Sequence, residues 1–151
     1  MSWLIDTNIT LRGLDRNHPH CRLVRRAILE LKRRGDDLFL ASQNLVEFWA
    51  VATRPVSANG LGMDIEWAAA QVQRMKRFFD LLVENPETQG EWERLVIQHR
   101  VSGKQVHDAR LVATMRVHGI RQILTFNLGD FNRYPEIHAV SPEEVIGVKA
   151  T

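Results

Sequence analysis

SWLIDTN, residues 2–8, decides the fold class. Ser2 to Asp6 is a short apolar run of strand length, and Asp6 stands where that strand gives way to the turn DTN. In open α/β sheets this carboxyl edge is where ligands bind, because the loops vary while the strands hold them rigidly. The rest of the chain fits such a sheet. Apolar runs of strand length alternate with longer stretches of helical period, as a parallel sheet with crossover helices requires. HCRLVRRAILELKRRG (20–35) is an amphipathic helix with Leu23, Ala27, Ile28 and Leu31 on one face, stopping at Gly35. LFLAS (38–42) is a second strand, and NLVEFWAVATR (44–54) a helix that ends before Pro55. Asp64 caps a helix over 65–79, a short strand is expected at 81–84, and a further helix spans 90–100 after a break at Pro86. VHDARLVATMRVHG (106–119) is helical and closes on Gly119. QILTF (122–126) and HAV (138–140) are the last strands, with NLGD a turn between them and Pro142 helping to end the second.

At 151 residues and 44% hydrophobic content the chain can bury a good core as one domain over residues 1–151. No apolar run approaches the ~18 residues of a membrane span. The N-terminus lacks a basic region followed by a long apolar stretch, so a soluble, cytoplasmic protein is expected. Cys21 is alone, which excludes an internal disulfide and a cysteine metal cage within one chain. Twenty basic residues against eighteen acidic ones, a net charge of +2, permit a basic surface only if the acids are gathered elsewhere.

The acids are indeed unusually placed. Glu47 is the one charge in LVEFWAVA (45–52), in the first turns of the helix after the second strand, and so projects toward the same sheet edge as Asp6. Asp108 falls, at ~100° per residue, between Leu111, Val112 and Met115 on one side and Gln105, Ala109 and Ala113 on the other. It therefore points toward the packed side, while His107, Arg110, Thr114 and His118 make the polar arc. TFNLGDF then sets Thr125, Asn127 and Asp130 just past a strand end. Duller roles exist for each acid: Asn44 and Glu47 have capping-box spacing, Asp6 could cap the next helix, and turns favour Asp130.

Convergence of four carboxylates requires something positive among them. Two carboxylates ~5 Å apart repel by about 3 kcal/mol at an effective dielectric near 20, and burial removes hydration as well. Either some are protonated or a cation is bound. An all-oxygen set of Asp, Glu and Asn suits Mg²⁺ or Mn²⁺, and the lack of a Cys or His cluster argues against zinc.

LIDTN, NLVEFWAVATRP, VSGKQVHDARLVATMRVHGI and ILTFNLGDFNRYP, in this order over almost the whole chain, resemble the PIN-domain ribonucleases, most closely the VapC-type toxins of toxin–antitoxin pairs. The resemblance implies a three-layer α/β/α sandwich and a Mg²⁺- or Mn²⁺-dependent endoribonuclease that cleaves RNA with a metal-activated water, leaving 5′-phosphate and 3′-hydroxyl ends. It implies Asp6, Glu47, Asp108 and Asp130 as catalytic metal ligands. Many PIN domains carry an Asp where Asn127 stands, so Asn127 is expected to orient Asp130, and Thr7, Asn8 and Thr125 to hold the carboxylates. It also implies a homodimer, a VapB-like antitoxin that blocks the site, and a tRNA or ribosomal RNA substrate. Arg12, Arg54, Lys104 and Arg110 are expected to draw RNA toward the negative site. The alternatives are a PIN-like RNA-binding module without activity, whose mark would be missing acids, and a Mg²⁺-dependent phosphohydrolase of doubly wound fold. The latter usually has a second acid beside the first, which DTN does not supply.

Overall fold

The computed structural model describes residues 1–148. Five parallel strands form one sheet: β1 (Ser2–Ile5), β2 (Asp37–Leu40), β3 (Asp80–Leu81), β4 (Gln122–Leu124) and β5 (His138–Val140), in spatial order β3-β2-β1-β4-β5. Seven helices join them: α1 (Thr7–Leu14), α2 (Cys21–Arg33), α3 (Ser42–Thr53), α4 (Ile65–Phe78), α5 (Thr88–Gln98), α6 (Val106–Val117) and α7 (Pro142–Ile146).

Alternation along the strands assigns the helices to faces. Trp3 pairs with Leu38, Leu4 with Ile123 and Ile5 with Leu124. Trp3, Ile5, Leu38, Leu40 and Leu124 face one side, where they pack with Ile9 of α1, Ala27 and Leu31 of α2, Phe48 of α3, Met75 of α4 and Val145 of α7. Leu4 and Ile123 face the other side, against Leu95 of α5 and Leu111, Val112 and Met115 of α6. The result is the expected three-layer α/β/α arrangement. Each buried Leu, Ile, Val, Phe or Met among them contributes roughly 1.5–3 kcal/mol on burial. Two glycines end helices as expected, Gly35 after α2 at φ +84° and Gly119 after α6 at φ +69°.

Several boundaries differ from the sequence reading. α1 and α7 are additional helices, and α3 begins at Ser42 because the Ala41 N–H donates to Asn44 Oδ1 (2.9 Å). Asn44, not Glu47, therefore serves the start of α3, which frees Glu47 from a capping role. β3 occupies 80–81, where Phe39 and Leu40 of β2 offer partners, instead of 81–84. Pro142 does follow a strand, yet it also opens α7, with Ser141 Oγ and Glu144 forming the reciprocal cap.

The strand order reverses at β1, whose successor in space on one side is β2 and on the other β4. A crevice at the carboxyl ends of β1 and β4 is thus dictated by topology. Asp6 and Thr125 are the residues that follow those two strands.

Candidate active site

Asp6 leaves β1 with its N–H on the Leu124 carbonyl (3.0 Å) and caps α1. Its side chain is buried and held by three donors. Oδ1 accepts the Thr7 N–H (2.8 Å), and Oδ2 accepts Thr125 Oγ1 (2.7 Å) and Asn8 Nδ2 (3.2 Å). Thr125 Oγ1 in turn accepts the Asn127 N–H at 3.0 Å, and Asn8 Oδ1 accepts the Phe126 N–H at 3.2 Å. These bonds tie the ends of β1 and β4 together around one carboxylate.

A second chain of bonds runs from the start of α1 to α3 and on to α6. Thr7 Oγ1 donates to Glu47 Oε2 (2.8 Å) and accepts Asn44 Nδ2 (3.2 Å). Gln43 Nε2 donates to Glu47 Oε1 and to the His107 carbonyl, both at 2.8 Å. His107 precedes Asp108, so the same amide fixes α3 against the first turn of α6. The sequence reading does not single out Gln43. Its one signal there is the i, i+4 spacing to Glu47, a pair that meets on one helix face.

Electrostatics bring all four acids into one field. Burial pushes Asp6 up to about 6 in spite of its bonds from Thr125 and Thr7, with Glu47 and Asp130 adding repulsion. Asp108 is half-buried in the first turn of α6 and is likewise pushed up to about 6, first by burial and then by Asp130, Asp6 and Glu47; only His107 opposes. None of the four makes an ion pair with Lys, Arg or His among the described residues. Asp108 and Asp130 also lack side-chain hydrogen bonds there.

Asp130 is exposed, on a 3₁₀ turn over Leu128–Phe131. The Asn127 carbonyl accepts its N–H (3.2 Å), so Asn127 positions the turn through its backbone rather than its exposed side chain. Arg54 is a correction: it lies at the far end of α3 and donates to the Asn59 carbonyl at 3.1 Å, away from the crevice. Thr114, expected on the polar arc of α6, is buried with Oγ1 on the Arg110 carbonyl (3.0 Å).

The acids share a field without closing into a cage. Among the described residues no three of Asp, Glu, His or Cys are gathered as a ready ligand group. Mutual repulsion favours such spacing, and an open set matches Mg²⁺, which takes one or two carboxylates and keeps waters. The donors are hard oxygens, as that ion requires. Gln43 Oε1, buried without a partner next to Glu47, supplies an acceptor that a water in the crevice would satisfy.

A PIN domain model matches residues 3–137. The chain belongs to the PIN domain family. Over 136 residues this PIN domain is 27% identical to ribonuclease VapC24 of Mycobacterium tuberculosis, a match covering 86% of the chain and 89% of that protein. Its fold is similar to VapBC2 from Rickettsia felis bound to a promoter DNA fragment, with a TM-score of 0.70 and 14% identity over 93% of this chain and 98% of that one. It is also similar to VapBC-1 from nontypeable Haemophilus influenzae (TM-score 0.68, 17% identity, 94% and 98% covered). VapC20 of M. tuberculosis, a sarcin–ricin loop cleaving toxin, aligns at TM-score 0.59 and 15% identity over 80% and 86%. No helix among the described residues of the PIN domain is long and apolar enough to cross a membrane.

Proposed function

We propose that this PIN domain is an endoribonuclease dependent on Mg²⁺ or Mn²⁺ and the toxin of a toxin–antitoxin pair, acting in the cytoplasm as a single domain over residues 1–151. The observation that carries the reading is a set of four mutually repelling carboxylates, Asp6, Glu47, Asp108 and Asp130, with no ion pair to a cationic side chain among the described residues. Similarity to ribonuclease VapC24 and to VapBC complexes supports the substrate and the pairing.

Each carboxylate has a distinct part in holding the ion. A carboxylate offers about four lone-pair sites. Three of those on Asp6 are taken by Thr7, Asn8 and Thr125, which leaves one on Oδ1. Asp6 is thus a rigid ligand through one oxygen. Glu47 keeps a free site on each oxygen beyond Thr7 and Gln43, while Asp108 and Asp130 offer unencumbered carboxylates. When bound, the ion would lower the pKa of a coordinated water and offset charge on the scissile phosphate. Thr7, Asn8, Gln43 and Thr125 hold the carboxylates still, and Gln43 Oε1 is left as a hydrogen-bond acceptor beside Glu47. Lys104 and Arg110, near the start of α6, supply positive charge for RNA.

An antitoxin and a second copy of the chain are the expected protein partners. A groove of about 670 Å³ between α1, α2 and α4, with Ile28, Leu29, Met75 and Phe78 in its walls, is a surface suited to an apolar partner segment. Size-exclusion chromatography with light scattering tests the homodimer directly.

Purified protein incubated with RNA and Mg²⁺ or Mn²⁺ should produce fragments with 5′-phosphate ends, and Asp108→Asn should not. Binding of RNA without cleavage by the wild type in either metal would favour a binding module. Release of phosphate from a small ester, with RNA left intact, would favour a phosphohydrolase.

A further inference from the structure

Beside the carboxylates lies a cluster that the proposed mechanism leaves idle. Arg12 of α1 holds its Cζ 4.1 Å from the centroid of the Phe126 ring. His20 stacks on Phe126 at 5.2 Å and 15°, and the His18 ring is 5.4 Å from that of His20. Phe126 follows Thr125, and its N–H is bonded to Asn8, which donates to Asp6. The cluster therefore shares the carboxyl edge of the sheet with the acids, two hydrogen bonds from Asp6.

Its donors are free. Arg12 Nη1 lies 3.4 Å from His20 Nδ1, and because a guanidinium can only donate, Nδ1 accepts. The His20 N–H donates to His18 Nδ1 at 3.0 Å, which fixes the second ring in the same sense. In the neutral imidazoles the proton then sits on Nε2 of both rings. Neither Nε2 has a protein partner among the described residues, and Arg12 has no other hydrogen bond and no ion pair there. Burial, Arg12 and His20 hold His18 below the usual imidazole range, while Asp15 opposes. Glu143 of α7 is the carboxylate whose charge reaches Arg12, from beyond ion-pair distance.

An arginine on the same edge of the sheet could have paired with one of the four carboxylates. Instead the Phe126 ring and His20 hold it aside. We infer that Arg12, His18, His20 and Phe126 form a phosphate-binding subsite for the nucleotide next to the scissile bond, with the RNA backbone spanning this cluster and the acidic crevice. The guanidinium supplies charge, the two Nε2–H groups supply direction, and Phe126 fixes the guanidinium plane. That the anion is RNA rests on the proposed function.

The test is fluorescence anisotropy of a labelled single-stranded oligoribonucleotide of mixed sequence, in EDTA so that nothing is cut, across a salt series. Arg12→Gln should weaken binding about 10–100-fold, as loss of a charge-assisted bond does, and reduce the salt slope by about 0.7 for each phosphate it leaves without a cation. In buffer at about pH 8.5, well above the range in which imidazoles carry charge, His18→Asn with His20→Asn should weaken binding several-fold with the slope unchanged, because uncharged donors release no counterions. Arg12→Lys should restore part of the affinity and most of the slope. Arg34→Gln, whose guanidinium serves Glu30 and the Val145 carbonyl, should leave binding unchanged. In cleavage assays Arg12→Gln should raise KM more than it lowers kcat. Unchanged affinity and slope in Arg12→Gln would overturn the inference, as would no wild-type binding of RNA or equal competition by an oligo-glutamate peptide. A loss of affinity in Arg12→Gln matched by a drop in Tm, and not relieved by Arg12→Lys, would do the same by exposing a merely structural role. Absence of wild-type cleavage with binding still weakened in Arg12→Gln would overturn the nuclease reading and support this one.

Discussion

Carboxylates at the two ends of this molecule are treated in opposite ways. On the surface of α2, Glu30 is gripped by Arg33 and Arg34, whose hydrogen bonds pull its carboxyl down to about 2. Glu91 of α5 likewise pairs with Arg94 and Arg116, the latter at 2.8 Å, and Asp36 pairs with the N-terminal amine at 3.0 Å. At the carboxyl edge of the sheet, Asp6 and Asp108 have no such partner among the described residues and rise to about 6. One chain thus neutralises the acids it can hydrate cheaply and leaves bare the ones that are costly to bury. The contrast teaches that the described residues leave the charge at this edge without a cationic partner.

The sharpest way to break that contrast is to remove a bare acid. Asp108→Asn should reduce metal-dependent RNA cleavage by at least about a hundredfold, since even outer partners of metal ligands cost 10–100-fold. The same variant should raise the metal-free Tm by about 2–4 °C, as roughly 1 kcal/mol of repulsion is relieved after allowing for Asp108's partial exposure. Activity assays and calorimetry in EDTA check the two halves; a fall in both would mean that Asp108 is a structural residue.

Supplying the missing charge should act almost as strongly. Mg²⁺ or Mn²⁺ at about 100 times its Kd should stabilise the wild type by about 2.7 kcal/mol, visible as a rise in Tm that EDTA reverses. Asp6→Asn combined with Asp108→Asn should lose that response. Thr7→Val removes the hydroxyl that joins Glu47 to Asn44, and should weaken metal binding about 10–100-fold by titration calorimetry.

Acidity gives a smaller and signed test. Asp6 and Asp108 have higher pKa values folded than unfolded, so the folded state binds the extra protons. Their contribution to stability is fully present below about pH 4, the range of an unperturbed Asp, and is lost as pH rises through about 6. Denaturant unfolding in EDTA should therefore show stability falling between about pH 4 and 6 and levelling off above, with a shallower slope in Asp108→Asn and a flatter one when Mg²⁺ is added. Glu30→Gln, on the paired side, should leave stability nearly unchanged in the same assay, because an exposed ion pair is screened by solvent.

The parts of the fold that the sequence displays are those whose signal is local. The short apolar runs SWLI and QIL, buried on both faces of the sheet, the apolar face of α2 and the glycines after α2 and α6 are visible without neighbours. α1 is not, because Thr7, Ile9, Thr10 and Gly13 are poor helix formers. It is held by the Asp6 cap and by packing on α2, where a Cβ on Gly13 would come within 2.8 Å of Val24 Cγ1. α7 does have a readable mark, the Ser141-Pro142 start with Glu144 three residues on, although Pro142 serves equally well as a strand end. In the candidate site the four acids and Thr7, Asn8 and Thr125 stand out by position. Gln43, His18, His20 and Phe126 do not, and Arg12 stands out only as a charge close to Asp6 along the chain.

What the sequence determined by itself was residue type at strand ends and on helix faces, because those depend on periods of two and 3.6 residues. It placed a carboxylate after β1, inside α3 and on the packed side of α6, together with the fold class that puts strand ends on one edge. Only the tertiary structure decided that no arginine reaches them, that Gln43 joins α3 to α6, and that Arg12 lies on Phe126, 114 residues away along the chain. Charge pairing and stacking depend on distance in space, and no periodicity along a chain records the distance between helices that meet across a sheet.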